Sequence, residues 1–195
     1  MDHARTHNGS GQEHARANAA PVMIFRVGAR QYGLPAGLVV RECMPVPELL
    51  PMAVMPPHVS GWFRLGAAMV VVLDLGVLLG ERTQALSQPV DLLYRPLLLC
   101  GLPGGGQVAL LVDMACEVAH PATVSPGMLD GGPQGAHATG QELELELKDG
   151  SIAFMLHMSD ILSRDERMRL DDLMERTRAR AALWAADEGE GECRP

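Results

Sequence analysis

The sequence has no apolar run long enough to span a bilayer, no excess of positive charge and no closely paired cysteines. It also carries none of the short motifs that mark common active sites. Each lack excludes something. A spanning helix needs roughly 18 apolar residues, whereas the apolar runs here, 69–73 and 97–100 among them, are strand-sized. Residues 1–20 are polar where a secretory signal needs an apolar stretch. The expectation is a cytoplasmic protein with no direct membrane insertion. The net charge of −8 argues against nucleic acid, whose binders need a basic face to displace counterions. It argues equally against an anionic membrane surface. Cys43, Cys100, Cys116 and Cys193 are scattered, with no C-x-x-C pair, which reads as isolated thiols, neither a disulfide framework nor a zinc site. G-x-S-x-G, H-E-x-x-H and a Walker-type lysine are all missing.

What is present is an all-β pattern. The composition is 47% hydrophobic and 21% charged, ordinary for a globular domain. A chain of 195 residues buries roughly 70% of its unfolded surface. Residues 1–21 lack hydrophobic periodicity and read as a disordered leader. From 22 to 163 short apolar runs alternate with Gly or Pro punctuation, the signature of short strands. The expected strands are 22–27 and 31–35 as a hairpin around 28–30, then 38–44, 59–65 and 69–73. A proline-studded segment, 45–57, crosses the surface, since repeated proline removes ladder donors. Asp74 stands where a carboxylate can cap a short helix over 75–80. After a polar link, 81–91, a second hairpin joins 97–102 to 107–112, and 115–120 continues as strand. Residues 121–139 read as a long loop. Residues 141–147 alternate leucine with glutamate, a half-buried strand, and 151–156 runs back from a turn at 148–150.

Two related lobes are expected, about 22–80 and 92–163. An echo supports them: 71–80 and 154–163 each read as apolar strand, polar hinge residue (Asp74 or His157) and one helical turn. The one long helix is 164–186, with Leu170, Leu173, Met174, Thr177, Ala181 and Trp184 at helical spacing. Residues 187–195 form an acidic tail.

The run Gly61-Trp62-Phe63-Arg64-Leu65-Gly66-Ala67-Ala68, followed by strand 69–73 and Asp74-Leu75, resembles the central signature of the CheW family. That signature is a glycine, two apolar residues, an Asn-Leu-Arg-Gly turn, a strand, then Asp-Leu. Phe25-Arg26-Val27 with Tyr32-Gly33-Leu34-Pro35 looks like the family's opening hairpin, and Val39-Val40-Arg41-Glu42 like its third strand. Val108-Ala109-Leu110-Leu111-Val112-Asp113 and residues 150–162 look like later elements, so the resemblance covers about 22–163. The chain departs from the pattern in two places. The family's asparagine falls on Arg64, its arginine on Gly66 and its glycine on Ala67, so the arginine implicated in signalling contacts is absent from its own position. His157 stands where a closing Asp is usual.

The resemblance implies a mostly β fold: two small five-stranded β-barrel subdomains packed on a shared core, followed here by the C-terminal helix. It implies a non-catalytic adaptor without cofactor, located at receptor arrays on the inner face of the membrane. Its partners would be the regulatory domain of a CheA-type histidine kinase and the cytoplasmic tip of a chemoreceptor. The candidate contact residues are Val39, Val40, Arg41 and Glu42 on the third strand and Arg64 and Leu65 at the turn. Strand alternation puts Val39 and Arg41 on one face and Val40 and Glu42 on the other, so one valine should be internal. Keeping the fold but changing the pathway gives a divergent surface-sensing or second-messenger adaptor.

The alternative from another class is a small hydrolase or ligand-binding enzyme using Asp74, Asp113 or His157. Each of the three follows an apolar strand, where a polar residue ordinarily meets solvent or caps a turn, and catalysis would need their mutual geometry. Gly104-Gly105-Gly106 lies between strands and not before a helix, so it reads as a hairpin loop and not as a phosphate cradle. His3, His7 and His14 sit in the leader and read as solvated. Ser60 and Ser125 lack a nucleophile context.

Overall fold

Side chains two residues apart in a strand share a face, and that period organises the whole molecule. The computed structural model describes residues 20–52, 54–102, 105–120, 123–126 and 143–189. The leader up to residue 19, Gly104, most of the 121–139 loop, the side chain of Trp184 and the end of the acidic tail lie outside the described residues.

Eleven strands are described: β1 (Val22–Val27), β2 (Arg30–Pro35), β3 (Val40–Pro45), β4 (Val59–Leu65), β5 (Ala68–Asp74), β6 (Pro96–Gly101), β7 (Gln107–Leu111), β8 (Met114–Ala119), β9 (Thr123–Pro126), β10 (Leu143–Glu146) and β11 (Ile152–Met155). Four helices join them: α1 (Leu75–Leu78), α2 (Pro89–Leu92), α3 (Met158–Ile161) and α4 (Arg164–Gly189). Strand β9 falls inside the segment expected to be loop; it pairs with β10, Thr123 opposite Glu146 and Pro126 opposite Leu143. Single-turn α2 lies at the end of the expected polar link, with proline in its first turn, where the missing N–H costs nothing.

The strands form a six-stranded sheet, β8-β1-β2-β11-β10-β9, and a five-stranded sheet, β3-β6-β7-β5-β4. The sheets are not the two halves of the chain expected at 22–80 and 92–163. The chain leaves the first sheet after β2, builds β3 to β7, and returns at β8. Residues 36–39 and 112–113 are therefore the two crossings between sheets. Most neighbours are antiparallel; β5–β7 and β2–β11 are parallel.

Three apolar clusters fill the fold. Met23, Phe25 and Val27 of β1, Val71 and Leu73 of β5, Leu98 and Cys100 of β6, and Val108 and Leu110 of β7 meet in the central core between the sheets. The intervening residues Val70, Val72, Leu97, Leu99, Ala109 and Leu111 point the other way, into a second cluster with Phe63 and Leu92. Val22, Ile24, Leu145, Leu147 and Ala153 make the matching cluster of the first sheet. Strands buried on both faces have no polar face to show, which is why 69–73 and 97–100 are unbroken apolar runs. The expected shared core is present.

The sheets do not close as barrels, however. Closure of the five-stranded sheet needs β3 to pair with β4. Leu50 takes that edge instead, with N–H to O=C bonds of 2.7 and 3.0 Å in both directions to Trp62. β3 also ends in Pro45, which has no N–H to donate.

The long helix α4 opens with a capping box: Ser163 N–H donates to Glu166 Oε2 at 2.9 Å, and Glu166 N–H to Ser163 Oγ at 3.2 Å. Leu170 is buried in the central core, with Leu173 and Met174 packed beside it. Among the described residues no helix is long and apolar enough to cross a membrane.

Candidate partner-binding surfaces and their ionic clasp

Asp74 closes β5 and caps α1. Its Oδ1 accepts from Gly76 N–H at 2.9 Å and from Arg82 Nε at 2.7 Å, and its Oδ2 accepts from Leu86 N–H at 2.9 Å. The side chain has no exposed surface. Gly76 is a requirement of this arrangement, because a Cβ at that position would overlap the Arg82 guanidinium. From Asp74 the same guanidinium reaches on to Asp113, Nη2 to Oδ1 at 3.1 Å. Arg95 Nη1 donates to that same oxygen, and Gly28 N–H, in the β1–β2 turn, donates to Oδ2 at 2.7 Å. Arg95 is braced in turn by its Nε bond to the Asp91 carbonyl, 2.8 Å.

These two carboxylates hold two guanidinium groups and three backbone amides from both sheets and from the 81–95 link. Burial by itself would raise the Asp113 carboxyl. The Gly28 amide and the Arg82 and Arg95 guanidinium groups outweigh it and hold the pKa below the usual 3.8. For Arg82, burial opposes the charge, but its bonds to Asp74 and then Asp113 raise its pKa further. The hypothetical acid–base constellation is thus only partly assembled. Asp74 and Asp113 meet through Arg82 with their oxygens already engaged. His157 is exposed, caps α3 without a side-chain bond and joins neither of them. No group of three or more His, Cys, Asp or Glu among the described residues is arranged to hold a metal. Cys100 is buried, and burial pushes its thiol up to about 12; Cys43 and Cys116 are exposed.

The contact residues expected from sequence fall in two places. Val40 is 6% exposed and packs in the central core, and Val39 is half-buried beside it. Between Val40 and Glu42 the β3–β6 register slips, so strict alternation fails at Arg41. Arg41 and Glu42 are both exposed, and the Arg41 guanidinium passes over Gly101. Arg64 is exposed and Leu65 half-buried at the β4–β5 turn. Since β3 and β4 are opposite edges of the five-stranded sheet, the two groups are separate surfaces of that sheet. Gly66, which occupies the family arginine's position, has φ +59, a left-handed conformation that glycine adopts without strain and arginine does not.

Sequence reasoning missed a groove of about 1020 Å³ beside β3. One wall runs from Cys43 through Met44, Val46 and Leu49; the other is Asp113, Met114 and Ala115 at the head of β8, with 92–96 between them. On its rim Tyr94 is 94% exposed and held at φ +65, an uncommon conformation for a bulky residue. The only signal in the sequence was apolar residues among the prolines of 45–57, where a plain surface crossing needs none.

Two open sheets packed on a shared core define the class: a β-rich two-sheet domain. The model of the CheW-like domain matches residues 21–166, and the chain belongs to that family, whose members are non-catalytic scaffold or adaptor proteins of chemotaxis. Among solved structures the chain is similar to the scaffolding protein TtCheW from Thermoanaerobacter tengcongensis. The TM-score is 0.55 over 80% of this chain and 91% of that one, at 14% identity, a likeness of fold. No curated protein matches the chain. Most of α4 lies beyond the matched domain.

Proposed function

We propose that the protein couples chemoreceptors to the regulatory domain of a CheA-type histidine kinase, at receptor arrays on the cytoplasmic face of the membrane. The observation that carries this reading is the CheW-like domain over residues 21–166, with Arg41 and Glu42 exposed on one edge of the five-stranded sheet and Arg64 on the other. The kinase takes Arg41 and Glu42 on β3, backed by Val39 and Val40, together with Arg64 and Leu65 at the β4–β5 turn. The receptor tip takes the apolar groove. Holding both partners at once raises the effective concentration of each for the other, which needs no chemistry.

Gly66 favours a second reading on the same fold. Its left-handed turn replaces the family arginine, so the protein serves a divergent surface-sensing or second-messenger pathway with its own kinase.

The test is a pull-down of the full chain against the kinase regulatory domain from the same source. Micromolar binding, about −8 kcal/mol, is expected, weakened by Glu42→Arg and Arg64→Glu, both exposed and tolerant of change. Binding unaffected by either substitution removes the surface assignment. Folded protein with no binding at all removes the kinase and leaves the family.

A further inference from the structure

The long helix α4 has two sides, and the fold uses one of them. Leu170, Leu173 and Met174 pack on the central core, and Thr177 and Ala181 continue the same stripe half-buried. About half a turn round, at 3.6 residues per turn, lie Met168, Asp172, Glu175, Ala179 and Leu183, all exposed. Met168 is 55% exposed and Leu183 74%. They are the two large apolar side chains that the described part of this helix shows to solvent, on a face that domain packing alone would leave polar.

The charges of α4 are sorted along its length. Residues 164–175 hold three arginines and five carboxylates, a net −2, whereas residues 176–183 hold Arg176, Arg178 and Arg180 and no acid, a net +3. Such a helix repels a parallel copy, like half against like half, and attracts an antiparallel one. Met168 and Leu183 obey the same symmetry, since both are equally far from the midpoint between Glu175 and Arg176. An antiparallel copy centred there sets each against the other across the pair. Two in-helix pairs, Arg176 with Asp172 at 2.7 Å and Arg178 with Glu175 at 3.2 Å, are exposed and each weak alone. The antiparallel copy brings a second arginine to each of these acids.

We propose that the outer face of α4 is a homodimer interface that takes α4 of a second copy of this chain, antiparallel. Met168 packs on the partner's Leu183, and the acidic half lies along the arginine half. The core-packed side of each helix points away from the pair, so the two domains stand on opposite sides of it and no contact of Leu170 is broken. The contact, about 24 Å of helix from 168 to 183, is short. A reversible dimer in the micromolar range, weakened by salt, is therefore expected.

The test is sedimentation of the full chain, with substitutions confined to the outer face. Leu183→Glu should raise the dissociation constant at least about tenfold, and Met168→Glu, at the other end of the same contact, replaces it if that variant loses its circular dichroism. Charge reversal is sharper. One chain carries Asp171→Arg, Asp172→Arg and Glu175→Arg, and another Arg176→Glu, Arg178→Glu and Arg180→Glu. Each should be monomeric alone, and the two should form a mixed dimer. Disulfide trapping fixes the direction. With Cys43, Cys116 and Cys193 replaced by serine, a Met168→Cys chain should cross-link to a Leu183→Cys chain and neither to itself. Wild-type protein that stays monomeric at several hundred micromolar overturns the proposal. So does a dimer indifferent to Leu183→Glu and to charge reversal, which puts the interface elsewhere, or a Met168→Cys chain that cross-links to itself, which makes the helices parallel.

Discussion

The chain builds the same small unit twice, and only one copy is locked. β5 ends at Asp74 and turns into α1; β11 runs out through His157 into α3. Each strand pairs in parallel with another in its own sheet, β5 with β7 and β11 with β2. Both hinge residues have extended backbone at the cap position, φ −78 for Asp74 and −114 for His157. Yet Asp74 is fully buried with three donors, while His157 is exposed and its side chain makes no cap bond. Part of the difference lies in the hinge residue, a carboxylate acceptor at one and an imidazole at the other. The rest comes from the 81–95 link, which supplies the Arg82 guanidinium and the Leu86 amide to the first hinge. Among the described residues no hydrogen bond from a comparable segment reaches the His157 side chain. A hinge carboxylate becomes structural when distant chain brings it donors.

The largest way to break this asymmetry is Asp74→Ala. It strips the Gly76 and Leu86 amides and one face of Arg82 of their acceptor, and should cost about 3–5 kcal/mol in urea unfolding. Arg82→Ala leaves the buried Asp74 carboxylate without its cation and should cost about 3 kcal/mol by the same measurement. Cutting the outer arm with Asp113→Asn, at a partly exposed carboxylate, should cost only about 1.5 kcal/mol.

That arm also carries a pH signature. A carboxyl whose folded pKa is depressed contributes stability that is complete above its ordinary value, 3.8, and is lost as pH falls through the lower folded value. Wild-type stability should therefore fall more steeply below pH 3.8 than that of Asp113→Asn, with the two curves converging in strong acid. Parallel acid limbs would show that the arm is not formed in solution.

The smallest effect sharpens the comparison from the other side. His157→Ala should change stability by less than about 0.5 kcal/mol. His157→Asp should stabilise by about 0.5–1 kcal/mol by giving α3 the side-chain cap that α1 already has. Equal and large losses at residues 74 and 157 would mean that the two hinges are not different after all.

Much of the fold was legible because its causes are local. Leucine–glutamate alternation at 141–147 marked β10, apolar runs at 69–73 and 97–100 marked strands, and Asp74 before Leu75-Gly76 marked a helix cap. The misreadings have non-local causes. β9 reads as loop in the sequence because its place depends on β10 accepting it. The sequence suggests lobes that follow the chain, because the crossings at 36–39 and 112–113 carry no sequence mark. Closed barrels were expected because nothing local announces that Leu50 takes the edge of β4. At the candidate surfaces, exposure of Arg41, Glu42 and Arg64 follows from strand and turn chemistry. The groove, in contrast, is assembled from three segments far apart in sequence.

Period-two patterning, proline placement and capping residues act over a few neighbours, and from them the order of most strands and of the long helix could be read directly, beside the resemblance to the family. Pairing across a sheet and meeting of side chains depend on where the chain returns, a question of global closure with many locally equivalent answers. Asp74 and Asp113 both read as ordinary strand-end carboxylates, 39 residues apart by their numbering. One arginine between them, brought there by folding, makes them a single clasp.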